Sequence, residues 1–348
     1  MTPAAVDVEP VLARYSRLTR HEMDRHLPSG EDDRDGGLAP LLRAYPDRSG
    51  KGIRPALLLA TCQAFGGTVR EALGAAATIE LLHNSFLIHD DLEDESELRR
   101  GEPTLHQVHG VPLAVNAGDA LAVVALAALH DRSELGARLS QRIMVEILQM
   151  ARRTTAGQSL ELRWRRDNVL DLEPEDYFNL ILQKTCCYTT IYPLRIGALV
   201  GSRGALDDEA LEPISQFGYY LGAAFQIRDD LLNLVGDELE AGKEALGDLR
   251  EGKRTLMLIH LLRTASTGER AWLSAYLARS IADREPGDAA RVLRMMEAHA
   301  SLEFAETWGL AIAAEARAAF DGAFGDVPPS VHLDFLAGMV PYMLERDR

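Results

Sequence analysis

Residues 81–94 read LLHNSFLIHDDLED and residues 221–233 read LGAAFQIRDDLLN, so each apolar stretch carries a pair of aspartates. Residues three and four apart share one face of a helix, which places Asp94 beside Asp90 on the first stretch and presents Asp229 on the second. Ionised carboxylates next to apolar surface are costly unless positive charge compensates them. Carboxylate oxygens suit Mg²⁺, which is commonly shared with phosphate oxygens. The two stretches therefore predict a magnesium and diphosphate site between two helices.

The composition indicates a globular protein and excludes some classes of partner. Of 348 residues, 47% are hydrophobic and 26% are charged, and the net charge is −16. An acidic surface argues against nucleic acid and against an electrostatic anchor on anionic lipid. The length alone would fit roughly two domains. We predict one, because the two acidic stretches make sense only if they face each other.

Cysteine usage and hydropathy predict a cytoplasmic protein without a membrane span. Cys62, Cys186 and Cys187 show neither CxxC nor Cys/His ligand spacing, so a zinc site and a disulfide framework are not supported. Such usage fits a reducing compartment. Residues 1–7 lack the basic and apolar regions of a signal peptide, and the most apolar run, residues 120–129, is too short to cross a bilayer.

Helical periodicity dominates the chain. Alanine and leucine recur at helical spacing almost everywhere, and runs of β-branched or aromatic residues are few. We predict an all-α protein of roughly a dozen helices, including one apolar helix over residues 177–200. Turn-forming residues predict breaks at residues 28–37, 66–67, 99–112, 167–174, 201–208, 237–253 and 285–287.

Basic residues gather near the acidic stretches although the chain is acidic overall. Guanidinium groups suit phosphate oxygens, and lysines act as mobile point charges, so this arrangement favours diphosphate binding. The basic residues concerned are Lys51 and Arg54 in the segment GKGIRP, Arg99 and Arg100, and Lys184, Lys243 and Lys253.

The same residues also allow simpler interpretations. Either aspartate pair alone could be a solvated helix face, although apolar neighbours at residues 86–88 and 225–227 indicate burial. His83, taken alone, could be a core histidine bonded to a carbonyl. Residues 247–253 fit the P-loop spacing, but Arg254 replaces the required Ser/Thr and an acidic helix precedes the segment, so nucleotide binding is rejected.

The sequence resembles the trans-polyprenyl (isoprenyl) diphosphate synthase family from about residue 28 onward. Residues 1–27 would then be a lead segment and residues 28–348 the synthase domain, a single-domain helical bundle around a deep central cavity (the isoprenoid synthase fold). The form of the acidic motifs is most similar to the eukaryotic-type geranylgeranyl diphosphate synthases. In chain order, the matching motifs are GKxxRP (50–55), ELLH (80–83), DDxxD (90–94), RRGxPTxH (99–106), NAGD (116–119), GQ (157–158), KT (184–185), FQIRDD (225–230) and GDLxEGK (247–253).

The resemblance implies a site for an allylic diphosphate at the two acidic stretches. Asp90, Asp94 and Asp229 would hold Mg²⁺ on this diphosphate. The family's second motif usually ends in aspartate, whereas Asn233 stands here, so its side chain is expected to touch water or diphosphate rather than metal. Further side chains would bind the diphosphate or act in catalysis: Arg99, Lys184, Thr185, Gln226, Lys243 and Lys253.

The resemblance also implies a second site, in which Lys51, Arg54, His83 and Arg100 hold isopentenyl diphosphate. Loss of diphosphate from the allylic substrate would leave a cation that the isopentenyl double bond attacks. A proton is then lost, and the chain is one prenyl unit longer. We expect geranylgeranyl diphosphate as the product, with farnesyl diphosphate as the alternative, and a homodimer as the assembly.

Two functions of other classes compete with this interpretation. A terpene cyclase also ionises a prenyl diphosphate between acidic helices, but it needs no second diphosphate site. A non-catalytic partner subunit of a synthase would be expected to have decayed aspartate motifs, and both motifs here are nearly complete. The sequence therefore favours a prenyltransferase over both.

Chain length is expected to depend on the first acidic helix. Phe86 lies one turn from Asp90, Ile79 lies on nearly the same stripe two turns further, and Leu82 lies at its edge. Each prenyl unit adds about the length of one helical turn, ~5.4 Å, so a bulky side chain at a given turn limits the length of the prenyl product. Because Phe86 is large and the neighbouring Ser85 is small, these side chains would only half close the floor of the cavity that holds the prenyl chain.

Overall fold

The computed structural model describes residues 7–29, 37–48, 50–130, 135–235 and 246–345. Regular structure in these ranges is helical except for one short antiparallel hairpin, β1 (Leu98–Arg99) and β2 (Glu102–Pro103). The all-α prediction is confirmed. In chain order, the helices before the middle of the chain are α1 (Glu9–Asp24), α2 (Leu38–Arg43), α3 (Ile53–Ala64), α4 (Val69–Glu93), α5 (Leu105–His109), α6 (Val111–His130) and α7 (Gly136–Arg166).

The second half continues with helices of several types. Leu182–Ile191 is a π-helix, and Ile281–Asp283 is a short 3₁₀ turn. The α-helices are α8 (Pro174–Ile181), α9 (Tyr192–Gly201), α10 (Glu212–Val235), α11 (Gly247–Glu251), α12 (Leu256–Thr264), α13 (Thr267–Leu277), α14 (Pro286–Ala298), α15 (Ser301–Phe324) and α16 (Val331–Glu345).

The two acidic stretches lie on long helices at the centre of the bundle. α4 begins with a capping box, in which Thr68 and Glu71 satisfy each other's backbone N–H groups, and it ends at Asp94 as its C-cap. It packs against α3 and α6, while α10 packs against α15 and the π-helix. α1, within the predicted lead segment, packs against α3 and α4. Both acidic helices are therefore held on several sides.

Several predicted breaks have a more regular structure than expected. The segment at residues 99–112 contains the β1–β2 hairpin, α5 and the beginning of α6. The break at residues 285–287 instead begins α14, where Pro286 occupies the first turn and needs no hydrogen-bonded N–H. Residues 237–245 of the break at 237–253 lie outside the described residues, and α11 occupies much of the remainder.

α6 is longer than the ten-residue apolar run at residues 120–129 suggested. Over Val111–Leu129 it meets the length and composition of a membrane-spanning helix, and 33% of its most apolar window is buried. The apolar run at residues 120–129 is only part of this helix, because the apolar residues on both sides of Asp119 belong to α6. Helices of globular proteins also meet this criterion.

The predicted continuous helix over residues 177–200 contains the π-helix between α8 and α9. Two glycines on neighbouring helices allow this wider turn to fit. A Cβ on Gly157 of α7 would lie 2.4 Å from the backbone nitrogen of Lys184, and one on Gly222 of α10 would lie 2.5 Å from Oγ1 of Thr190. π-Helical turns are common at functional sites because they change which side chains share a face.

The contact at Gly157 gives a first prediction. Gly157→Ala should push α7 away from the π-helix and lower the free energy of unfolding by about 1–3 kcal/mol. Gly268→Ala is the matched control, because its Cβ would meet no atom within 4 Å and alanine favours a helix. Chemical denaturation of both variants measures the difference. Equal stability of the two variants would contradict the close approach.

Candidate active site

A cavity of about 300 Å³ lies between the two acidic helices. α4 contributes His83, Leu87 and Asp90 to its wall, and α10 contributes Gln226 and Asp229. The two helices therefore face one space, as their sequences predict. α10 also contributes Phe225 and Asp230. Other elements complete the wall with mostly charged and aromatic side chains, among them Arg54, Arg99, Arg100, Glu161, Tyr177, Lys184, Thr185, Tyr188, Asp248 and Lys253.

The carboxylates at the end of α4 are paired with cations from four other segments. Asp90 Oδ1 lies 3.5 Å from Lys184 Nζ, and its Oδ2 lies 3.7 Å from Arg99 Nη2. Asp94 is almost fully buried, contacts Arg165, and lies 3.0 Å from Lys253 Nζ. Burial alone would raise the pKa of Asp94, but Lys253, Lys184 and Arg165 hold that pKa well below its usual range. The carboxylate of Asp94 is therefore ionised.

The two lysines each contact several carboxylates. Lys253 Nζ lies 3.3 Å from Asp248 and 2.6 Å from Glu251, in addition to Asp94. Burial alone would lower the pKa of Lys253, but these carboxylates raise it well above its ordinary value. Lys184 is bound in the same way to Glu161 at 2.9 Å. Both ammonium groups therefore remain charged where they line the cavity.

The middle aspartate of the first motif has a different role. Asp91 is fully buried and accepts hydrogen bonds from Tyr45 and, at 2.7 Å, from Nε of Arg99. Its carboxylate therefore fixes the guanidinium of Arg99 beside Asp90. Sequence spacing places Asp91 on another face of α4 from Asp90 and Asp94, and the structure directs it away from the cavity.

On α10, a hydrogen-bonded chain fixes the amide of Gln226. Thr185 donates to Oε1 of Gln226 at 2.8 Å, and Nε2 of Gln226 donates to Asp230 at 2.6 Å. Tyr177 donates to the other oxygen of Asp230 at 2.8 Å. Burial, together with nearby Asp248 and Asp229, raises the pKa of Asp230 well above its usual value. Asp229 and Asp230 both lie on the cavity wall, and Asp230 also orients Gln226 and Tyr177.

Asn233 lies where α10 meets the segment that carries Lys253. Its side-chain oxygen accepts a hydrogen bond from the backbone N–H of Asp248 at 3.0 Å, and its carbonyl accepts one from Leu246 at 3.1 Å. An amide supplies this acceptor without adding a further negative charge beside Asp248. Asn233 does not line the main cavity, and Lys243 lies outside the described residues.

A cationic group occupies the opposite side of the cavity. Arg54 stacks 4.3 Å over the ring of Tyr188 and donates to Thr189 at 3.0 Å. His83 is 7% exposed and its Nδ1 has no hydrogen-bond partner, so it is not the core histidine bonded to a carbonyl that the sequence alone allowed. Burial, followed by the charges of Arg54 and Arg100, lowers the pKa of His83 well below 6.5.

Three of the four residues expected to bind isopentenyl diphosphate, Arg54, His83 and Arg100, therefore share the cavity wall. Lys51 does not line it; its ammonium is exposed and lies 5.7 Å from the ring centre of Tyr342 on α16. Glu80, one turn before His83, is half-buried near these guanidinium groups. Burial raises the pKa of Glu80, and the charges of Arg54 and Arg100 oppose the rise.

The donor set fits a divalent ion that is shared with substrate. Among the described residues, no three His, Cys, Asp or Glu side chains are grouped closely enough to hold a metal by themselves. Mg²⁺ does not need such a cage, because one or two carboxylates plus phosphate oxygens and water complete its octahedron. Asp90 and Asp229, on facing walls of the cavity, provide that number of carboxylates.

The four residues expected to limit chain length lie outside the cavity wall. Phe86 packs edge-on against Tyr188 with ring centres 6.0 Å apart, and Leu82 and Ile79 are buried below it. Ser85 faces α6, where it donates to the carbonyl of Gly118 at 2.8 Å. Ser85 is therefore part of a helix contact and does not lie beside Phe86 on the floor.

Sequence reasoning missed several residues of the site. Glu161 and Arg165 lie one and two turns after Gly157-Gln158 on α7, a position that could have identified them. Tyr188 follows Lys184 by four residues, and its role depends on the π-helix, which no sequence pattern indicated. Tyr45 reaches Asp91 from a loop 46 residues earlier in the chain, so only the tertiary structure reveals it.

Comparisons with known proteins agree with this geometry. The sequence profile described as polyprenyl synthetase matches residues 37–296. A short chain isoprenyl diphosphate synthase from Methanothermobacter thermautotrophicus is 34% identical over 277 residues, 78% of this chain and 80% of that protein. A geranylgeranyl diphosphate synthase from Saccharolobus solfataricus is 34% identical over 257 residues, 74% of this chain and 75% of that protein. Proteins named geranylfarnesyl diphosphate synthase also match.

A solved structure shares the fold over nearly the whole chain. It is geranylgeranyl pyrophosphate synthase from Corynebacterium glutamicum, in a complex with isoprenyl diphosphate and magnesium. The two chains are 26% identical with a TM-score of 0.84, and the match covers 98% of this chain and 100% of the other. The helical bundle described above is therefore the isoprenyl diphosphate synthase fold.

The low pKa of His83 predicts acid sensitivity. The unfolded chain binds this proton more tightly than the folded protein, so the free energy of unfolding falls as the pH drops below about 6.5. The expected loss is about 1.4 kcal/mol at pH 5.5. His83→Gln cannot titrate and should lose correspondingly less stability between pH 7.5 and 5.5. Urea unfolding of both proteins measures this, and identical pH dependence would contradict a buried neutral imidazole.

Proposed function

The chain belongs to the polyprenyl synthetase family, and on that basis we propose that it condenses isopentenyl diphosphate with an allylic diphosphate to give geranylgeranyl diphosphate. It is a short-chain prenyltransferase. The observation that carries the proposal is one cavity with two different charged groups. One group combines carboxylates with cations around Asp90 and Asp229, and the other is a cationic group in which the guanidinium groups of Arg54 and Arg100 share the wall with the neutral imidazole of His83.

The acidic group suits the allylic diphosphate. Asp90 and Asp229, with Asp94 behind them, would hold Mg²⁺, which neutralises charge on the departing diphosphate. Lys184 and Lys253 bind and stabilise the same oxygens, because fixed cations in a dry site oppose the charge that develops there. The allylic carbon–oxygen bond breaks, and the electron pair leaves with the diphosphate.

The cationic group suits isopentenyl diphosphate, which keeps its own diphosphate throughout the reaction. Arg54, His83 and Arg100 would orient this substrate so that its double bond meets the allylic cation, forming the new carbon–carbon bond. A proton is then lost to the departed diphosphate. The apolar faces of Leu87 and Phe225 line the space between the groups and help to exclude water.

The main test is incubation with isopentenyl diphosphate, Mg²⁺ and each allylic primer in turn, with the products separated by chain length. We expect geranylgeranyl diphosphate, and no product when a chelator removes the metal. Asp229→Ala should lower turnover by about 10²–10³ or more, whereas exposed Asp326→Ala should not. Cyclised hydrocarbon would favour a cyclase, and no product with any primer would favour a non-catalytic subunit. Full activity in chelator would contradict the metal assignment.

We also propose that Phe86 helps to end chain growth. A prenyl tail directed from Asp90 along α4 would meet Tyr188 and then Phe86, whose rings pack edge to face. Phe86→Ala should open this path and shift the products toward longer chains. Phe304→Ala is the matched control, a partly buried aromatic that stacks on His260 away from the cavity. An unchanged product distribution in an active Phe86→Ala enzyme would show that another element limits the length of the product. Farnesyl diphosphate as the product of the wild type would support the alternative product.

A homodimer and a cytoplasmic setting are further parts of the proposal. α6 exposes Val111, Leu113 and Val123, which is 69% exposed, and α7 exposes Val145 and Leu148. We propose that these exposed side chains form an apolar face for an isologous contact with a second copy. The three cysteines are free thiols, which fits a reducing compartment.

The apolar face gives a prediction about assembly. Light scattering should report twice the 38.2 kDa of one chain for the wild type. Val123→Glu should reduce that mass toward one chain, since burying an unpaired charge in an interface is costly. Leu310→Glu is the control, because Leu310 is 67% exposed on α15, away from this face. A monomeric wild type, or equal masses for both variants, would contradict the assignment.

A further inference from the structure

The β1–β2 hairpin carries two adjacent arginines that serve different sides of the cavity. Arg99 is held by Asp91 beside Asp90, on the acidic side. Arg100 has a backbone φ of +56°, which turns its side chain the other way, toward the group of Arg54 and His83. Under the proposed function, each arginine binds the diphosphate of a different substrate. The position of one hairpin therefore affects both binding sites.

One side chain outside the cavity fixes this hairpin. Arg48 donates from Nη1 to the carbonyl of Arg99 at 3.1 Å and from Nη2 to the carbonyl of Pro103 at 2.8 Å. Its Nε lies 3.1 Å from the carboxylate of Glu102. In return, the carbonyl of Arg48 accepts a hydrogen bond from Nη1 of Arg100 at 3.0 Å. The two segments therefore hold each other through reciprocal arginine-to-carbonyl contacts.

The guanidinium of Arg48 is itself fixed by stacking. It lies 4.6 Å over the ring of Tyr45, which is 1% exposed and donates its hydroxyl to Asp91. Asp91 in turn accepts from Arg99. Arg48 thus reaches Arg99 by two routes, directly through the main chain and indirectly through Tyr45 and Asp91. A planar fork that both donates and stacks is a property that lysine lacks.

We propose that Arg48 is a positioning residue that sets Arg99 and Arg100 together and so determines the affinity of both diphosphate sites. Arg48 does not line the cavity, so it would act through Arg99 and Arg100. This inference rests on the proposed function, because it assigns the two arginines to two substrates. A residue with only a structural role would change stability without this paired effect on binding.

The test measures binding without turnover. Two ligands are titrated calorimetrically into each protein. One is isopentenyl diphosphate. The other, added with Mg²⁺, is a thiolo analogue of an allylic diphosphate, which does not lose its diphosphate to form an allylic cation. Arg48→Met keeps the aliphatic stem but removes the donors, and it should weaken both ligands by about tenfold, the loss of one charged hydrogen bond at each site. Arg48→Lys keeps the charge without the fork and should also weaken both. Arg99→Met should weaken only the analogue, and Arg100→Met only isopentenyl diphosphate.

Arg142→Met is the matched control. Arg142 also bridges a backbone carbonyl, that of Leu206, and a carboxylate, that of Asp208 at 3.1 Å, but it lies away from the cavity. It should leave both affinities unchanged. Folded Arg48 variants that change the affinity for one ligand only, or for neither, would overturn the inference. If Arg48→Met fails to fold, the affinities of Arg48→Lys for the two ligands provide the test. A wild type that binds neither ligand would instead overturn the proposed function.

Discussion

The pairing of buried carboxylates with buried cations at the end of α4 is the constraint on which the site depends. Asp94 is almost fully buried, and Lys253 bridges it to Asp248 and Glu251. An unpaired charge there would be strongly destabilising, so the end of α4 and the segment after α10 must stay together. Lys184 makes the same kind of link from the π-helix to Asp90 and Glu161. Charge balance therefore brings four separate chain segments around one cavity.

A single helix also sets the spacing between the two halves of the cavity. His83, Leu87 and Asp90 lie on one stripe of α4, with Glu80 before them and Asp94 after them. At 1.5 Å per residue, the cationic end at His83 and the acidic end at Asp90 are roughly 10 Å apart along the axis. Because α4 is rigid and packed on several sides, this separation cannot vary freely. Two diphosphates can then bind at opposite ends with their prenyl groups between them.

The sequence predicted the parts of the site that follow from local periodicity. Asp90 and Asp229 lie on the cavity wall because helical spacing decides which face they occupy, and the family motifs identified Arg54, His83 and Lys184. Other features depend on contacts distant in sequence. The π-helix requires Gly157 and Gly222 on neighbouring helices, Asp91 has Tyr45 as its partner, and Ser85 faces α6. Lys51 lies outside the wall because α16, far along the chain, meets it there.

One cavity is proposed to hold two diphosphates by different chemistry, one through carboxylates and metal, and the other through two guanidinium groups and a neutral imidazole without metal. Calorimetric titration of the wild type with each ligand, in the presence and absence of Mg²⁺, tests it most directly. We expect the non-ionising allylic analogue to bind tightly only with Mg²⁺, because Asp90 and Asp229 otherwise repel its phosphates. Isopentenyl diphosphate should bind through Arg54, His83 and Arg100 with little dependence on the metal. Equal metal dependence of the two ligands would contradict the account.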